Sequence, residues 1–256
     1  MQKTAAMKRA GAVMGITIAV LCVLLVAFSY YHATRATISP YGELSLWDTI
    51  VMNSDIIMGL VFLAACSVPF FLKFERRKPR AREMVPLAVM AALGVVGRTV
   101  FQLIPLPNFK PVSAIVIITA VAFGPEAGFM TGALTAFVSN FIFGQGPWTP
   151  WQMFAMGAIG WLAGILYRKG VLRRSKLSLC IFGVIASTVI YGGIMNPASA
   201  LMWAQSVNWK IILSYYISGI PVDLVRAIAT FFFLWLGAEP MLEKLDRIKT
   251  KYGLAE

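Results

Sequence analysis

Residues 112–143 read VSAIVIITAVAFGPEAGFMTGALTAFVSNFIF, two apolar runs separated by a turn that contains Gly124 and Pro125. Glu126 is the single charged residue in this stretch. A bilayer offers no water to the backbone, so such runs must be helical for each N–H to find a carbonyl within its own run. The stretch therefore predicts two adjacent membrane helices, Val112–Phe123 and Ala127–Phe143.

The composition of the whole chain agrees with this prediction. Of its 256 residues, 59% are hydrophobic and 13% are charged, whereas globular domains are about 45–50% apolar and about 25% charged. A soluble domain and a disordered chain are both excluded. At about 20 residues per crossing, we predict an all-α polytopic membrane protein with eight transmembrane helices: Gly11–Ser29, Ile56–Leu72, Met84–Ile104, Val112–Phe123, Ala127–Phe143, Trp151–Tyr167, Leu177–Met195 and Ile211–Gly237.

Positive charge decides between two topologies. The run Val112–Phe123 is short enough to be a re-entrant segment, but that would place the cluster Arg168–Lys176 outside and break the positive-inside rule. Eight crossings put most of the 23 Lys and Arg residues on the cytoplasmic side and leave only Arg35, Lys110 and Lys210 outside. We therefore expect a multi-pass protein of the bacterial plasma membrane with both termini in the cytoplasm.

A basic segment, KFERRKPRARE at residues 73–83, divides the chain. We predict a two-helix membrane hairpin with a basic cytoplasmic linker over residues 1–83, a six-helix core over 84–237 and a basic cytoplasmic tail over 238–256. The first apolar run could also be a signal peptide, but it is longer than a typical h-region and is followed by no A-x-A site. A retained anchor is favoured.

Several classes of function find no support. His32 is the single histidine, so His-based triads and two-His zinc motifs are excluded. No phosphate-binding G-x-x-x-x-G-K-[ST] loop is present, and the three cysteines lie in apolar runs. The basic residues form no face for a duplex. We expect no enzyme activity, no cofactor, no metal site and no nucleic-acid partner.

Inserting a charged side chain at the centre of a membrane helix costs roughly 2.5–3.5 kcal/mol of free energy. Asp223 and Arg226 are three residues apart, so they share a helical face and could neutralise each other. Two interpretations stay open: an ion pair that locks the last helix to its neighbours, or a pair that borders a polar ligand cavity together with Arg98.

The outer loops are rich in indole rings and amides. The segment FGQGPWTPWQM contains Gln145, Trp148, Trp151 and Gln152, and the region after the seventh span contributes Asn196, Trp203, Asn208 and Trp209. Anchoring in an interfacial aromatic belt is one interpretation. An outward-facing aromatic cup for a planar, partly polar ligand is the other.

The third span carries Ala88 and Ala92 four residues apart, a spacing that lets another helix approach closely. This alanine stripe, the stretch VAFGPEAGFMTGALTAFVSNFIFGQGPW and the WTPWQM loop together resemble the substrate-binding S components of energy-coupling factor (ECF) vitamin transporters. The resemblance covers roughly residues 84–237, and the hairpin over 1–83 has no counterpart in that family core.

The resemblance implies a subunit that takes a vitamin-like compound from outside and delivers it with a transmembrane coupling subunit and two cytoplasmic ATPases. It implies docking of the coupling subunit at Ala88 and Ala92. It also implies ligand contacts from the outer loops and outer helix ends: Asn108, Gln145, Trp148, Trp151, Gln152, Asn196, Trp203 and Tyr215. Asp223 and Arg226 join these candidates as the intramembrane charged pair. The loop looks most like the cobalamin-related branch.

A different transport mechanism remains possible on the residues alone. In that alternative the chain is a stand-alone secondary transporter or channel, with Asp223 and Arg226 in the transport path. It predicts transport without an ATPase.

Overall fold

The computed structural model describes residues 81–204 and 207–253, together with Ser67. Seven α-helices follow one another in this part of the chain, and it contains no strand. They are α1 (Ala81–Val100), α2 (Val112–Phe123), α3 (Pro125–Phe143), α4 (Trp148–Arg168), α5 (Lys176–Ile185), α6 (Gly192–Trp203) and α7 (Trp209–Lys251). A 3-10 turn, Phe101–Leu103, extends α1, and a π-helical segment, Ala186–Tyr191, joins α5 to α6 in one continuous rod.

The described residues thus form six rods, one for each span predicted in the core. The total of eight helices is not confirmed, because the first two predicted spans lie outside the described residues. So does almost all of the hairpin and linker predicted over 1–83. Three rods are long and apolar enough to cross a membrane: Met84–Leu103, Lys176–Trp203 and Trp209–Lys251.

The shortest of the six rods, α2, lies at the centre of the bundle. All its residues from Val112 to Ala122 are buried, as expected for a helix that is apolar all round. Its first turn lies beside α1, where Pro111 faces Gly97. At its other end the Lys249 Nζ atom donates to the Ala122 carbonyl at 2.8 Å. The helix therefore runs through the interior of the bundle, from the neighbourhood of Gly97 to that of Lys249.

Small residues bring α3 and α4 into close contact. Gly124, with φ of 98°, makes the tight turn between α2 and α3. Farther along α3, a Cβ atom on Gly128 would lie only 2.8 Å from the Gly160 carbonyl oxygen of α4. The two backbones can approach this closely only because neither position carries a side chain.

The last helix continues beyond its predicted end. We expected a span over Ile211–Gly237 followed by a tail, but α7 runs from Trp209 to Lys251. Ala238, Leu242 and Leu245 are buried and follow the helical spacing of a core-facing stripe. The basic tail is therefore an amphipathic continuation of the helix along the bundle.

The two ends of the bundle differ in charge. The end formed by Gly124, residues 169–175 and the C-terminal part of α7 is here called the basic end. Three ion pairs join described residues there. Glu126 pairs with Arg168 at 3.4 Å, Glu239 pairs with Lys176 at 2.8 Å, and Asp246 pairs with Arg174. The opposite end, formed by residues 104–111, 144–147 and the start of α7, is here called the loop end. Two basic clusters predicted to share a side, Arg168–Lys176 and Lys244–Lys251, do lie at one end.

Candidate functional site

Four of the predicted residues form one hydrogen-bonded chain. Arg226 Nη1 donates to Asp223 Oδ1 at 2.7 Å, so the predicted pairing of these two residues is present. Asn196 of α6 donates its Nδ2 to the other Asp223 oxygen at 2.9 Å. Arg226 Nη2 donates to Asn108 Oδ1 at 3.1 Å. The chain joins α6, α7 and the loop 104–111, and both charged residues are buried, each 8% exposed.

The position of Asn108 depends on its backbone. It has φ of 66°, in the left-handed region, which asparagine enters more readily than most residues. This conformation reverses the chain between the 3-10 turn and α2. It brings the amide side chain of a loop residue to a guanidinium group on α7.

A second polar cluster is organised by Asn140 of α3. Its Oδ1 accepts from Arg98 Nη1 at 2.8 Å, and its Nδ2 donates to Thr149 Oγ1 and to Gln152 Oε1, each at 2.9 Å. Arg98 also donates to Ser139. Asn140 is fully buried, and its amide therefore connects α1 to the first turns of α4.

The predicted glutamine of the 144–147 loop belongs to the same network. Thr149 Oγ1 donates to Gln145 Oε1 at 2.8 Å, and Gln145 Nε2 donates to the Phe137 carbonyl at 3.0 Å. Gln145 is exposed while Gln152 is half-buried. Gln145 thus fixes the loop over the network, whereas Gln152 lies inside the bundle.

A small polar cavity of about 50 Å³ lies between the two clusters. Arg98, Asn108, Gln152, Tyr191 and Arg226 line it, with Val112, Thr135, Ala136, Ser139 and Met156. Cavities that hold drug-sized ligands are about 300–1,000 Å³. A vitamin-sized ligand can enter this polar cavity only if the loop end moves.

Asn196 and Asp223 face a different space. They line an apolar groove of about 390 Å³ between α7 and the rod formed by α5 and α6, together with Leu213, Tyr216, Ile217 and Leu224 among others. Asp223 therefore reaches the polar cavity only through Arg226. The predicted set is connected, but it does not surround a single pocket.

Aromatic rings hold the cations of the site. The Arg226 guanidinium lies 3.9 Å from the centroid of the Tyr191 ring. Arg98 lies 4.7 Å and Lys110 lies 5.0 Å from the centroid of the Phe143 ring. Tyr191 is the last residue of the π-helical segment, a type of helix that often occurs at functional sites because it changes which face a side chain occupies.

The cations also affect one another. The pKa of Lys110, which lies in the 104–111 loop, is lowered from 10.5 to about 8. Burial is the main cause, and the positive charges of Arg98 and Arg226 add to it. Both effects disfavour the protonated amine. Lys110 therefore changes its charge close to physiological pH.

The predicted aromatic cup is present only in part. The rings of Trp148 and Trp203 are stacked, with centroids 6.1 Å apart and planes inclined by 28°. Trp203 is nevertheless 63% exposed and Trp209 is 74% exposed. Trp151 and Tyr215 are half-buried, and none of these rings lines the polar cavity. Trp209 begins α7 on its exposed face, which explains why it does not join the stacked pair.

The alanines predicted for docking lie away from this site. Ala88 and Ala92 are exposed on α1, beside the exposed side chains of Val85, Val89 and Val96. The stripe thus faces outward from the bundle, and packing within the described part of the chain does not explain it.

Residues that the sequence analysis did not select complete the site. Ser139 and Asn140 form a polar pair inside an apolar run, a signal that could have identified them. Lys110 could have been noticed as one of the few cations assigned to the outer side. The position of Tyr191 depends on a π-helical turn, for which the sequence offers no comparable signal.

Comparison with known proteins assigns the family. The family described as ECF-type riboflavin transporter, S component, matches residues 78–237 of this chain. A UPF0397 protein of Vibrio atlanticus (strain LGP32) is 27% identical over 125 residues, which are 47% of this chain and 68% of the relative. A UPF0397 protein of Clostridium perfringens (strain SM101 / Type A) is 24% identical over 155 residues, which are 54% of this chain and 82% of the relative.

No solved structure matches the chain. The family match covers more than half of the sequence and includes every residue of both polar clusters. The matched family consists of transporter subunits and not of enzymes, and the resemblance to the cobalamin-related branch is not confirmed. The chain belongs to the family of ECF-type transporter S components.

Proposed function

We propose that this protein captures a small planar compound at the loop end and passes it to the interior of the cell as the substrate-binding subunit of an ECF importer. The observation that carries the proposal is the polar cavity between two hydrogen-bonded clusters. Buried guanidinium and amide groups are expensive in a bilayer, and a cavity lined by them suits a ligand with polar edges.

The lining favours a heteroaromatic ring with several carbonyl groups. Arg98, Arg226 and Gln152 supply N–H donors around the cavity, and the Tyr191 ring offers a flat apolar surface. A flavin ring has this pattern of carbonyl oxygens on a planar system, and the matched family carries riboflavin in its description. Cobalamin, suggested by the sequence resemblance, would need a much larger separation of the helices around this cavity.

Capture requires the loop end to open. The stacked pair of Trp148 and Trp203 connects the start of α4 to the end of α6, next to the hydrogen bonds made by Gln145. Separation of the two rings would release α6 from α4 and enlarge the cavity. Their contact after entry of the ligand would exclude water, which strengthens the polar contacts inside.

Delivery requires partners that this chain does not contain. The exposed stripe of Ala88 and Ala92 supports docking of a transmembrane coupling subunit, because small residues let another helix approach closely. An apolar groove of about 420 Å³ between α1 and α7, lined by Leu93, Val96 and Phe233 among others, continues this surface. Two cytoplasmic ATPases would bind to the coupling subunit and power the import.

Titration of the purified full chain in lipid nanodiscs with riboflavin and with cobalamin tests the proposal. We expect riboflavin to bind, and Gln152→Leu to weaken its binding about tenfold by removing a polar group from the cavity. Gln102→Leu is the matched control, since Gln102 is exposed in the 3-10 turn. Tight cobalamin binding without riboflavin binding would reject the flavin assignment, and binding of neither compound would reject capture.

Transport assays separate this mechanism from a stand-alone transporter or channel. The proposal predicts uptake into vesicles only when the coupling subunit, the ATPases and ATP are all present. Uptake by the chain alone, abolished by Asp223→Asn, would instead support a secondary transporter that uses the intramembrane ion pair.

A further inference from the structure

The polar site contains more positive than negative charge. Arg98 from α1, Lys110 from the loop 104–111 and Arg226 from α7 are its cations, and Asp223 is the single acid among the described residues around them. The contributions of α3, α4 and the π-helical segment are neutral: Ser139, Asn140, Thr149, Gln152 and Tyr191. The contribution of α2 to the cavity, Val112, is apolar.

The acid is already fully engaged. Asp223 accepts from Arg226 on one oxygen and from Asn196 on the other. Arg98 is bonded to the neutral side chains of Ser139 and Asn140. Within the described part of the chain, neither Arg98 nor Lys110 has a carboxylate partner. Two cations therefore lie in or beside the polar cavity without a counterion among the residues that the structure describes.

Such an arrangement is costly unless something neutralises it. A cation that is withdrawn from water needs an opposite charge or a full set of hydrogen bonds. The mutual repulsion of the three cations adds to the cost. Burial first, and then the positive charges of Arg98 and Arg226, lower the pKa of Lys110. A single negative group placed among them would remove the repulsion and would form charge-assisted hydrogen bonds, which are stronger than neutral ones.

We propose that the ligand of this site carries a carboxylate or a phosphate group, which is held by Arg98 and Arg226 with Lys110 as the third cation. The inference rests on the proposed function and narrows its substrate class from planar polar compounds to planar anions. A phosphorylated flavin or an aromatic carboxylate fits it better than neutral riboflavin does.

Small probes that differ in charge but hardly in shape test the charge preference. Benzoate and benzamide would be compared by equilibrium binding to the full chain in phosphatidylcholine nanodiscs, which lack anionic lipids. Phenyl phosphate distinguishes a phosphate preference from a carboxylate preference. We expect the preferred anion to bind at least about tenfold more tightly than benzamide.

Lysine variants test whether Lys110 causes the preference for anions. Lys110→Gln should weaken anion binding about fivefold to tenfold and leave benzamide binding unchanged. Lys210→Gln is the matched control, because Lys210 is an exposed cation in the first turn of α7. The anion preference of the unmodified chain should also decline between pH 7 and pH 9, as Lys110 loses its proton, but should not decline in Lys110→Gln.

The outcomes separate this inference from the proposed function. Binding of both benzoate and phenyl phosphate no tighter than that of benzamide, binding of none of the probes, or equal effects of the two lysine variants would overturn the anionic substrate class. If riboflavin were still imported with the partner subunits, the proposed capture function would stand and only the anionic substrate class would be rejected. Anion selectivity without uptake of riboflavin or its phosphate by the complete transporter would instead remove the flavin-import function and keep the charge preference.

Discussion

Oδ1 of Asp223 and Nη1 of Arg226 lie 2.7 Å apart within one turn of α7, and together they join Asn196 on α6 to Asn108 in the loop 104–111. The pair is therefore both an ion pair inside one helix and the centre of a connection across three elements. Its loss should affect stability and ligand binding together.

Substitution of the acid tests the first part of this statement. Asp223→Asn leaves a buried guanidinium group without its counterion, which we expect to lower the free energy of unfolding by about 3 kcal/mol. Denaturant titration in detergent micelles measures it. The double variant Asp223→Asn with Arg226→Met should recover part of the loss, because it removes the uncompensated charge. A double variant less stable than Asp223→Asn alone would show that the pair is not a coupled unit.

Two neighbouring glycines provide a matched test of packing around Asp223. A Cβ atom on Gly192 would lie 3.0 Å from Asp223 Cγ and would also press on its Oδ2 atom, whereas one on Gly193 would meet nothing within 4 Å. Gly192→Ala should destabilise the protein by about 1–3 kcal/mol. Gly193→Ala should be neutral or stabilising by up to about 1 kcal/mol, the ordinary preference for alanine in a helix. Thermal unfolding of both variants measures the difference in stability. Equal effects would contradict the close approach of Gly192 to Asp223.

The stacked tryptophans should contribute to retention of the ligand. Trp148→Ala removes the contact with Trp203, which is worth about 0.5–1.5 kcal/mol beyond its buried area. We expect faster ligand dissociation in stopped-flow measurements, with little change in the association rate. Trp209→Ala serves as the control, since Trp209 is largely exposed and stands outside the stacked pair. Unaltered dissociation in Trp148→Ala would remove the proposed role in closing the loop end.

The alanine stripe should matter for uptake and not for binding. Ala88→Leu adds a bulky side chain to the exposed face of α1, which should block close approach of a coupling helix. We expect unchanged ligand affinity in nanodiscs and abolished ATP-dependent uptake in vesicles containing all subunits. Val89→Leu adds only one methylene group to a side chain that is already large on the same exposed face, and it should retain uptake. Normal uptake by Ala88→Leu would show that the coupling subunit does not dock at the stripe of Ala88 and Ala92.

The pH dependence of stability should reveal Lys110. Its pKa is about 8 in the folded protein and about 10.4 in an unfolded chain. Between these values the unfolded state binds more protons, so the free energy of unfolding rises with pH. Below about pH 8 the full cost of the buried charge is present, and above about pH 10.4 it disappears. Partial exposure of the side chain keeps the effect small. The rise in the free energy of unfolding with pH should be absent in Lys110→Gln. If the free energy rose equally steeply with pH in both proteins, the lowered pKa of Lys110 would be contradicted.

Most of the helical core could be predicted because apolar length determines it. The bounds Val112–Phe123 are the same in sequence and structure, since a uniformly apolar run ends at Gly124, whose positive φ cannot continue a helix. The end of α7 was predicted too early. Residues after Gly237 become polar on one face, and a criterion based on uninterrupted hydrophobicity cannot recognise a helix that continues with only Ala238, Leu242 and Leu245 buried.

The site was predictable only where its chemistry was conspicuous. Asp223 and Arg226 stand out because charges are rare inside spans, and their spacing already places them on one face. Asn108 and Asn196 were selected by resemblance, and nothing in their local sequence says that both reach the same ion pair. Asn140 was not among the predicted site residues, although its side chain connects α3 to α1 and to α4 by hydrogen bonds. Its importance comes from contacts with residues far away in the sequence.

The π-helical segment Ala186–Tyr191 has a consequence for how this protein can vary. A π turn holds an additional residue compared with an α turn, and one residue corresponds to about 100° of rotation around a helix. Deleting a single residue there would leave the rod helical but turn Asn196 away from Asp223 by roughly a quarter of a circle. A change in the length of this rod by even one residue would therefore separate Asn196 from the rest of the hydrogen-bonded chain.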